Sequence, residues 1–251
     1  MDPDSTYATK GGTPARLGYY DNYLVDNHSC VIVGAQATAA RMSQETVAAQ
    51  DMIARAEWQG RDPASVAADA TYGNGEFLQW LMERGITPYM RTRDSALRKN
   101  SPLYGPDRFT YLPESNSYRC PAGQQLNYGG HNARNRTHVY IGTRKRCGGC
   151  AQKAQCTRSP LKYLAIHVHE PARQRARELV NTPEFTNAQR ERKKVETLFA
   201  ELKNQIGLRR LRWRRLKFVR EQFFLAAGAQ NIKRLVRFLS QRQAPMLAAT
   251  T

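Results

Sequence analysis

The sequence predicts an α/β fold: a mixed sheet with flanking helices, a Cys-rich interruption and a helical C-terminal part. Three observations predict it. Two β-branched and aromatic runs lie side by side near the start, segments of helical and strand-like pattern alternate over 43–91, and helical periodicity dominates beyond residue 187.

LGYYDNYLVD (17–26) and SCVIVGAQAT (29–38) read as strands, and Asn27–His28 between them as a hairpin turn. SQETVAAQDMIARAEW (43–58) reads as a helix, with Ser43 as its cap and apolar spacing at Val47, Met52, Ile53 and Ala56. ASVAADATYG (64–73) is predicted as a short buried strand ending in a turn. NGEFLQWLMERG (74–85) is predicted as a helix with Asn74 as cap and Gly85 as stop, and ITPYMR (86–91) as a further strand. Two antiparallel strands followed by helix–strand–helix–strand give a sheet of mixed direction.

From about 95 to 165 neither period is sustained, and a structureless loop of that length is improbable in a compact domain. The cysteines are its candidate organisers. Cys120, Cys147, Cys150 and Cys156 follow C-x26-C-x2-C-x5-C, close to the two-pair layout of structural zinc sites. Metal would then fold a segment with too few apolar residues to fold unaided. Free thiols or a redox Cys-x-x-Cys are the other readings, and His131 or His138 could replace one sulfur. Cys30, inside a predicted strand, reads as a packed core thiol.

Beyond 187 two long helices are expected, the second over roughly 216–240 with Phe224, Leu225, Ile232, Leu235, Val236 and Leu239 as its apolar residues. GLRRLRWRR, a basic joint, lies between them. On the first helix, at about 100° per residue, Arg192, Glu196 and Lys203 fall within about 40° of one another. Val195, Leu198, Phe199, Leu202 and Ile206 form the neighbouring apolar stripe. A solvated face with an i,i+4 ion pair is the bland reading of that strip.

The 251 residues carry a net charge of +18, unevenly spread. Residues 1–90 hold six Lys/Arg against eleven Asp/Glu, whereas 91–251 hold 33 against 10, so −5 is followed by +23. A polyanion bound by the second part is implied, with nucleic acid the first candidate. No apolar run approaches a membrane span and no secretory leader opens the chain, so a cytoplasmic protein with reduced cysteines is expected.

Asp69, at the end of a predicted strand, either caps the following turn or meets a cation, since ligands collect at such strand ends. DATYGNGEFLQWLMERGI resembles the strand–turn–helix around the second aspartate of insertion-sequence DDE transposases. RKKVETLFAELKNQIGLRRLRWRRLKFV resembles their last catalytic helix, whose Tyr-x2-Arg-x3-Glu-x6-Lys signature is matched by Arg192, Glu196 and Lys203, with Gln189 in place of the tyrosine. AAGAQNIKRLVRFL is similar to the closing helix, and the hairpin resembles the strands before the second aspartate. One branch of the family carries a Cys-rich insertion at the same place.

The resemblance implies an RNase H-like core divided into 1–94, the Cys-rich insertion 95–170, and the catalytic-helix part 171–251. It implies Mg²⁺ (or Mn²⁺) held by Asp69 and Glu196, with structural Zn²⁺ on Cys120, Cys147, Cys150 and Cys156. Transposon ends and target DNA would be the partners, with a homodimer in the synaptic complex and a place at the bacterial nucleoid. Arg192 and Lys203 would contact phosphates or orient the carboxylate. Arg209, Arg210, Arg212, Arg214, Arg215 and Lys217 would hold the DNA backbone, and Trp213 would pack between helices or stack on a base. The family's first strand and first aspartate have no counterpart before residue 17. Asp2 and Asp4 resemble the linker after that strand, so a copy truncated at its N-terminus, with strand cleavage close to nil, is expected. The alternative is a non-catalytic, zinc-stabilised nucleic-acid-binding protein.

Overall fold

A computed structural model describes residues 2–8, 14–40, 44–93 and 102–243. Strands β1 (Thr6–Ala8), β2 (Arg16–Val25) and β3 (Ile32–Ala39) form an antiparallel sheet in that order. Side chains alternate across β2. Tyr23 and Val25 pack with Ile32, Ala35, Leu198 and Ala227, and Tyr19 packs with Ala37, Val219 and Phe223. Leu24, on the opposite face, joins the cluster of Ile53, Phe77, Leu78 and Leu81. The hairpin loop is longer than the two-residue turn predicted. The Asp26 carboxylate accepts from the backbone of His28 at 3.3 Å and Ser29 at 2.9 Å, and β3 begins only at Ile32. Cys30 therefore sits in the loop with φ of 57°, partly exposed, and is not a strand core residue.

Helix α1 (Gln44–Trp58) buries Ala48, Met52, Ile53 and Ala56, while Val47 stays exposed; Ser43 lies outside the described residues. Strand β4 (Ser65–Ala67), helix α2 (Gly75–Glu83) and strand β5 (Thr87–Tyr89) make a parallel β–α–β unit. Asn74 caps α2 by accepting from Phe77 N at 2.8 Å, and Gly85, with φ of 72°, ends it in the left-handed region that glycine enters at little cost. The predicted strand 64–73 stops at Ala67. The Asp69 carboxylate accepts from Thr71 N at 2.8 Å and bends the chain into a turn, and the Tyr72 amide bonds back to Asp69 O.

The single mixed sheet expected from the sequence is not formed among the described residues. β4 pairs only with β5, and no strand bridges them to β2. The link between the two sheets is made by side chains: Tyr72 Oη lies 3.4 Å from Asn22 Oδ1, and Asn22, buried, donates to Gln36 O and Thr38 Oγ1, both at 3.0 Å.

The stretch without a clear period holds a five-stranded antiparallel sheet: β6 (Thr110–Leu112), β7 (Ser117–Arg119), β8 (Gln125–Asn132), β9 (Thr137–Ile141) and β10 (Tyr163–His167), ordered as in sequence. Short helices α3 (Arg144–Gly148) and α4 (Lys153–Cys156) lie between β9 and β10. Its core is Phe109, Leu126, Tyr140, Leu164 and Ile166, with Tyr118 4.7 Å and Tyr128 5.6 Å from the Tyr140 ring. The segment thus has a small apolar core, against which Cys120 and Cys156 also pack. Tyrosines supply much of it, each presenting a large apolar body with a polar tip.

Helix α5 (Glu170–Leu179), absent from the sequence reading, buries Ala172 and Ala176 in the cluster that holds the apolar side of α2. Helix α6 (Pro183–Asn204) begins before 187, with Thr182 as cap and Pro183 in its first turn. It buries Leu198 and Leu202, and Phe199 stacks on Tyr23 with centroids 4.8 Å apart. Helix α7 (Leu216–Gln243) runs along β3. Buried Gln230 donates to Leu198 O at 2.8 Å, and Asn231 both accepts from Ile32 N and donates to Ile32 O, each at 2.9 Å. No helix among the described residues is long and apolar enough to cross a membrane.

Candidate active site and nucleic-acid interface

Helix α6 passes over the C-terminal ends of β4 and β5. Gln189 holds it there: Nε2 donates to Ala68 O at 3.1 Å and to Tyr89 O at 2.6 Å, while Oε1 accepts from Arg192 Nε at 3.3 Å. One amide thus fastens the helix to the ends of two neighbouring strands. Sequence comparison marks Gln189 only as a departure from tyrosine, and its stapling role has no local sequence signal. Asp69 follows Ala68 directly, so its turn lies beside this staple. One turn further along α6, Arg192 Nη2 donates to Glu196 Oε1 at 3.0 Å.

Asp69 is exposed, and one of its oxygens is engaged by the turn. The Glu196 side chain is 62% exposed against 25% for Arg192, so the guanidinium is the better-anchored partner. Lys203 stands exposed in the last turn. The strip read from the helical wheel is therefore real as an Arg192–Glu196 pair, with Lys203 further along. Exposed carboxylate oxygens are the donor type that hard divalent cations take. Among the described residues, however, no group of three or more His, Cys, Asp or Glu side chains is placed to hold a metal ion.

The acid most enclosed on α6 is another one. Glu201 is 8% exposed and is paired with Lys233 at 2.9 Å and Arg234 at 3.0 Å, both on α7. Burial works to raise its pKa, but the hydrogen bonds from Lys233 and Arg234 outweigh that and hold it below the ordinary value. This pair belongs to the α6–α7 packing.

The four cysteines line one small cavity in the insertion. Cys120 sits in the CPAG turn, where its amide donates to Gln124 O at 2.8 Å and Gly123 takes φ of 75°. Cys147 and Cys150 flank the end of α3, and Cys156 ends α4. Burial raises the Cys156 pKa; Lys162 acts against it, and the other three thiols add to it. Lys162, whose own pKa burial lowers, donates to Tyr104 O at 2.9 Å and Cys156 O at 3.1 Å. The sulfurs converge on one space without forming a metal-holding group as placed. His131 and His138 face each other across β8 and β9, with rings 5.4 Å apart, and neither lines this cavity.

The basic joint is open to solvent. Arg209, Arg210, Arg212, Arg214, Arg215 and Lys217 are all exposed, as is Trp213 at 45%, so the indole is not packed away between helices. Gln222 Oε1 accepts from the backbone of Arg212 at 3.1 Å and Trp213 at 3.4 Å, which folds the joint onto α7. Two carboxylates from the chain start reach it: Asp2 accepts from Arg215 N at 3.1 Å and Asp4 from Leu216 N at 3.0 Å. Burial pushes the Asp2 pKa up, but its bonds from Arg215 N and the Tyr19 hydroxyl prevail and lower it. Six cations on one turn and a helix N-terminus form a surface suited to phosphate.

No curated protein and no solved structure matches the chain. Residues 119–236 match the protein-family model described as the transposase DDE domain, a stretch that holds the four cysteines, Arg192, Glu196, Lys203 and the basic joint and leaves Asp69 outside it. Over that stretch the chain is similar to the DDE transposases.

Proposed function

We propose that the chain is a DDE-type transposase, or a C-terminal fragment of one, whose site serves metal-dependent DNA strand cleavage and transfer, with Asp69 and Glu196 as carboxylate ligands of Mg²⁺ or Mn²⁺. The observation that carries this reading is the Gln189 staple, which sets the Asp69 turn against the helix that bears Arg192 and Glu196. A divalent ion supplies an activated water or 3′-hydroxyl and charge stabilisation for the leaving oxygen. Arg192 orients the Glu196 carboxylate, Gln189 fixes the distance of α6 from the strand ends, and Lys203 and the joint hold the backbone phosphates. Transposon ends and target DNA are the substrates in this reading. The test is plasmid nicking and Mn²⁺ titration with Asp69→Ala and Glu196→Ala. Each variant is expected to lose metal-dependent nicking and metal binding while duplex affinity is kept. Unchanged Mn²⁺ binding in both variants overturns the assignment.

A second reading rests on the turn bond of Asp69 and the Arg192–Glu196 pair, which give both acids structural work. On it the chain is a nucleic-acid-binding module. It is favoured if both alanine variants bind metal and DNA as the unmodified chain does.

The cavity of Cys120, Cys147, Cys150 and Cys156 fits structural Zn²⁺ by donor chemistry, four sulfurs at turns and helix ends near Lys153, Lys162 and Arg146. Elemental analysis of purified protein should give about one zinc per chain, as expected for one four-ligand site. A zinc-free protein with an unchanged melting curve rejects this site.

A further inference from the structure

His131 on β8 and His138 on β9 are direct partners in the strand register, so both rings leave the same face of the insertion sheet. Their centres are 5.4 Å apart and the rings are tilted by 46°. His131 is exposed and His138 half-buried, so solvent reaches the pair. The Tyr128 hydroxyl lies 3.4 Å from His138 Nδ1, and the two rings are 5.8 Å apart. That contact engages one ring nitrogen of His138 and leaves Nε2 for another partner. The cysteine cavity includes none of these groups.

We propose that His131 and His138 form a two-imidazole site for a transition-metal dication, Ni²⁺, Cu²⁺ or Zn²⁺. Imidazole nitrogen suits these ions, whereas Mg²⁺ and Mn²⁺ favour carboxylate oxygen and water. With metal–nitrogen bonds of about 2.0–2.1 Å, two imidazoles on one tetrahedral ion place their ring centres roughly 5 Å apart. The observed separation matches that spacing, so both rings can reach one ion without movement of the strands. Water takes the remaining positions, since no group of three His, Cys, Asp or Glu forms there among the described residues. Tyr128 is a positioning residue, the outer partner that fixes the orientation of a metal-bound histidine through its second nitrogen. The other histidine pair is differently placed. His167 and His169 have rings 5.7 Å apart, but His167 Nδ1 already accepts from His169 N at 3.1 Å. The Cε1–Nδ1 edge of His167 is also pressed against Gly75, where a Cβ would meet it at 2.6 Å.

The pair lies between the register shift at Tyr128 and Gly130 and the tip of the β8–β9 hairpin. An ion there ties the two strands where their ladder is locally disturbed. The tip is also where the insertion reaches the rest of the chain. Arg136 O accepts from Val168 N at 3.0 Å, and the Arg136 guanidinium pairs with Glu76 on α2. A bound ion therefore stiffens the arm that joins the insertion to α2. The inference rests neither on the catalytic reading nor on the thiol cavity.

The test is calorimetric titration of the full chain with Ni²⁺ alone. The unmodified chain should bind one more ion than His131→Asn or His138→Asn. Any binding by the native thiols is common to all three and cancels in that difference. His169→Asn should bind as the unmodified chain does, and Tyr128→Phe should keep the site with affinity weakened by about 10-fold. Titration with Mg²⁺ should not distinguish His131→Asn from the unmodified chain. Because His131 is exposed, its variant should keep the metal-free melting curve, which separates a lost ligand from lost folding. Equal Ni²⁺ stoichiometry in the unmodified chain and His131→Asn overturns the proposal, and so does loss of the same site in His169→Asn.

Discussion

Asp21 stands on β2 between two apolar clusters, and neither of its carboxylate oxygens has a hydrogen-bond partner among the described residues. The Tyr23 hydroxyl, two residues on, donates to Gln230 at 3.2 Å. Burial pushes the Asp21 pKa up to about 7, with Tyr23 acting weakly in the other direction. The folded state therefore keeps a proton that the unfolded chain releases near pH 4. This contribution to stability is complete below about pH 4 and is lost as pH rises to about 7, by at most about 1.4 kcal/mol per pH unit. Asp21→Asn should melt higher than the unmodified chain at pH 8, and the difference should vanish near pH 4. Melting curves that stay parallel across that range would contradict the assignment. Glu201 takes the opposite sign: its lowered pKa adds stability above the ordinary carboxylate range, lost as pH falls through the folded value.

At the scale of the element, the β4–α2–β5 unit depends on a close approach at Gly73. A Cβ there would lie 1.9 Å from Arg91 O and 2.8 Å from Arg91 C, backbone atoms with no room to move aside. The same glycine accepts from Arg93 N at 2.8 Å. Gly73→Ala should cost about 1–3 kcal/mol by overpacking, lowering the melting temperature by roughly 2–10 °C. Thermal melts check this directly, and an unchanged melting temperature refutes it. The helices α1, α2 and α6 and the β2–β3 hairpin were legible in the sequence because their buried positions are regularly spaced. Helix α7 was legible as a helix, but the six apolar residues that marked it, Phe224, Leu225, Ile232, Leu235, Val236 and Leu239, are exposed. Its buried side is Val219, Phe223, Ala226, Ala227 and Gln230. Helix α5 was not, because alanines at 172 and 176 do that work and carry little periodic signal. The insertion sheet was hidden for another reason: its strands are short and their apolar surface is spread over tyrosines among Asn, Gly and Arg. Of the candidate site, the Arg192–Glu196 pair and the convergence of four cysteines could be read from spacing. The Gln189 staple could not, since it depends on strand ends more than a hundred residues away.

Across the whole molecule, charge is segregated: −5 over residues 1–90 and +23 over 91–251. The basic joint, exposed and folded onto the start of α7, is where this imbalance meets solvent. Duplex affinity should fall linearly on a log–log plot against salt, with about 0.9 of slope for each phosphate neutralised. Replacing Arg212 and Arg214 by alanine should flatten the slope by about two, and a slope left unchanged would place the DNA elsewhere. The pairing of Ile32 with Asn231 also has a bearing on how the chain is made. These partners are 199 residues apart in sequence. At ribosomal speeds of about 5–20 residues per second, the hairpin waits roughly 10–40 s for the helix that covers it. Throughout that interval its uncovered tyrosines and valines are open to chaperones and to neighbouring nascent chains, so heterologous yield should respond to translation rate and growth temperature.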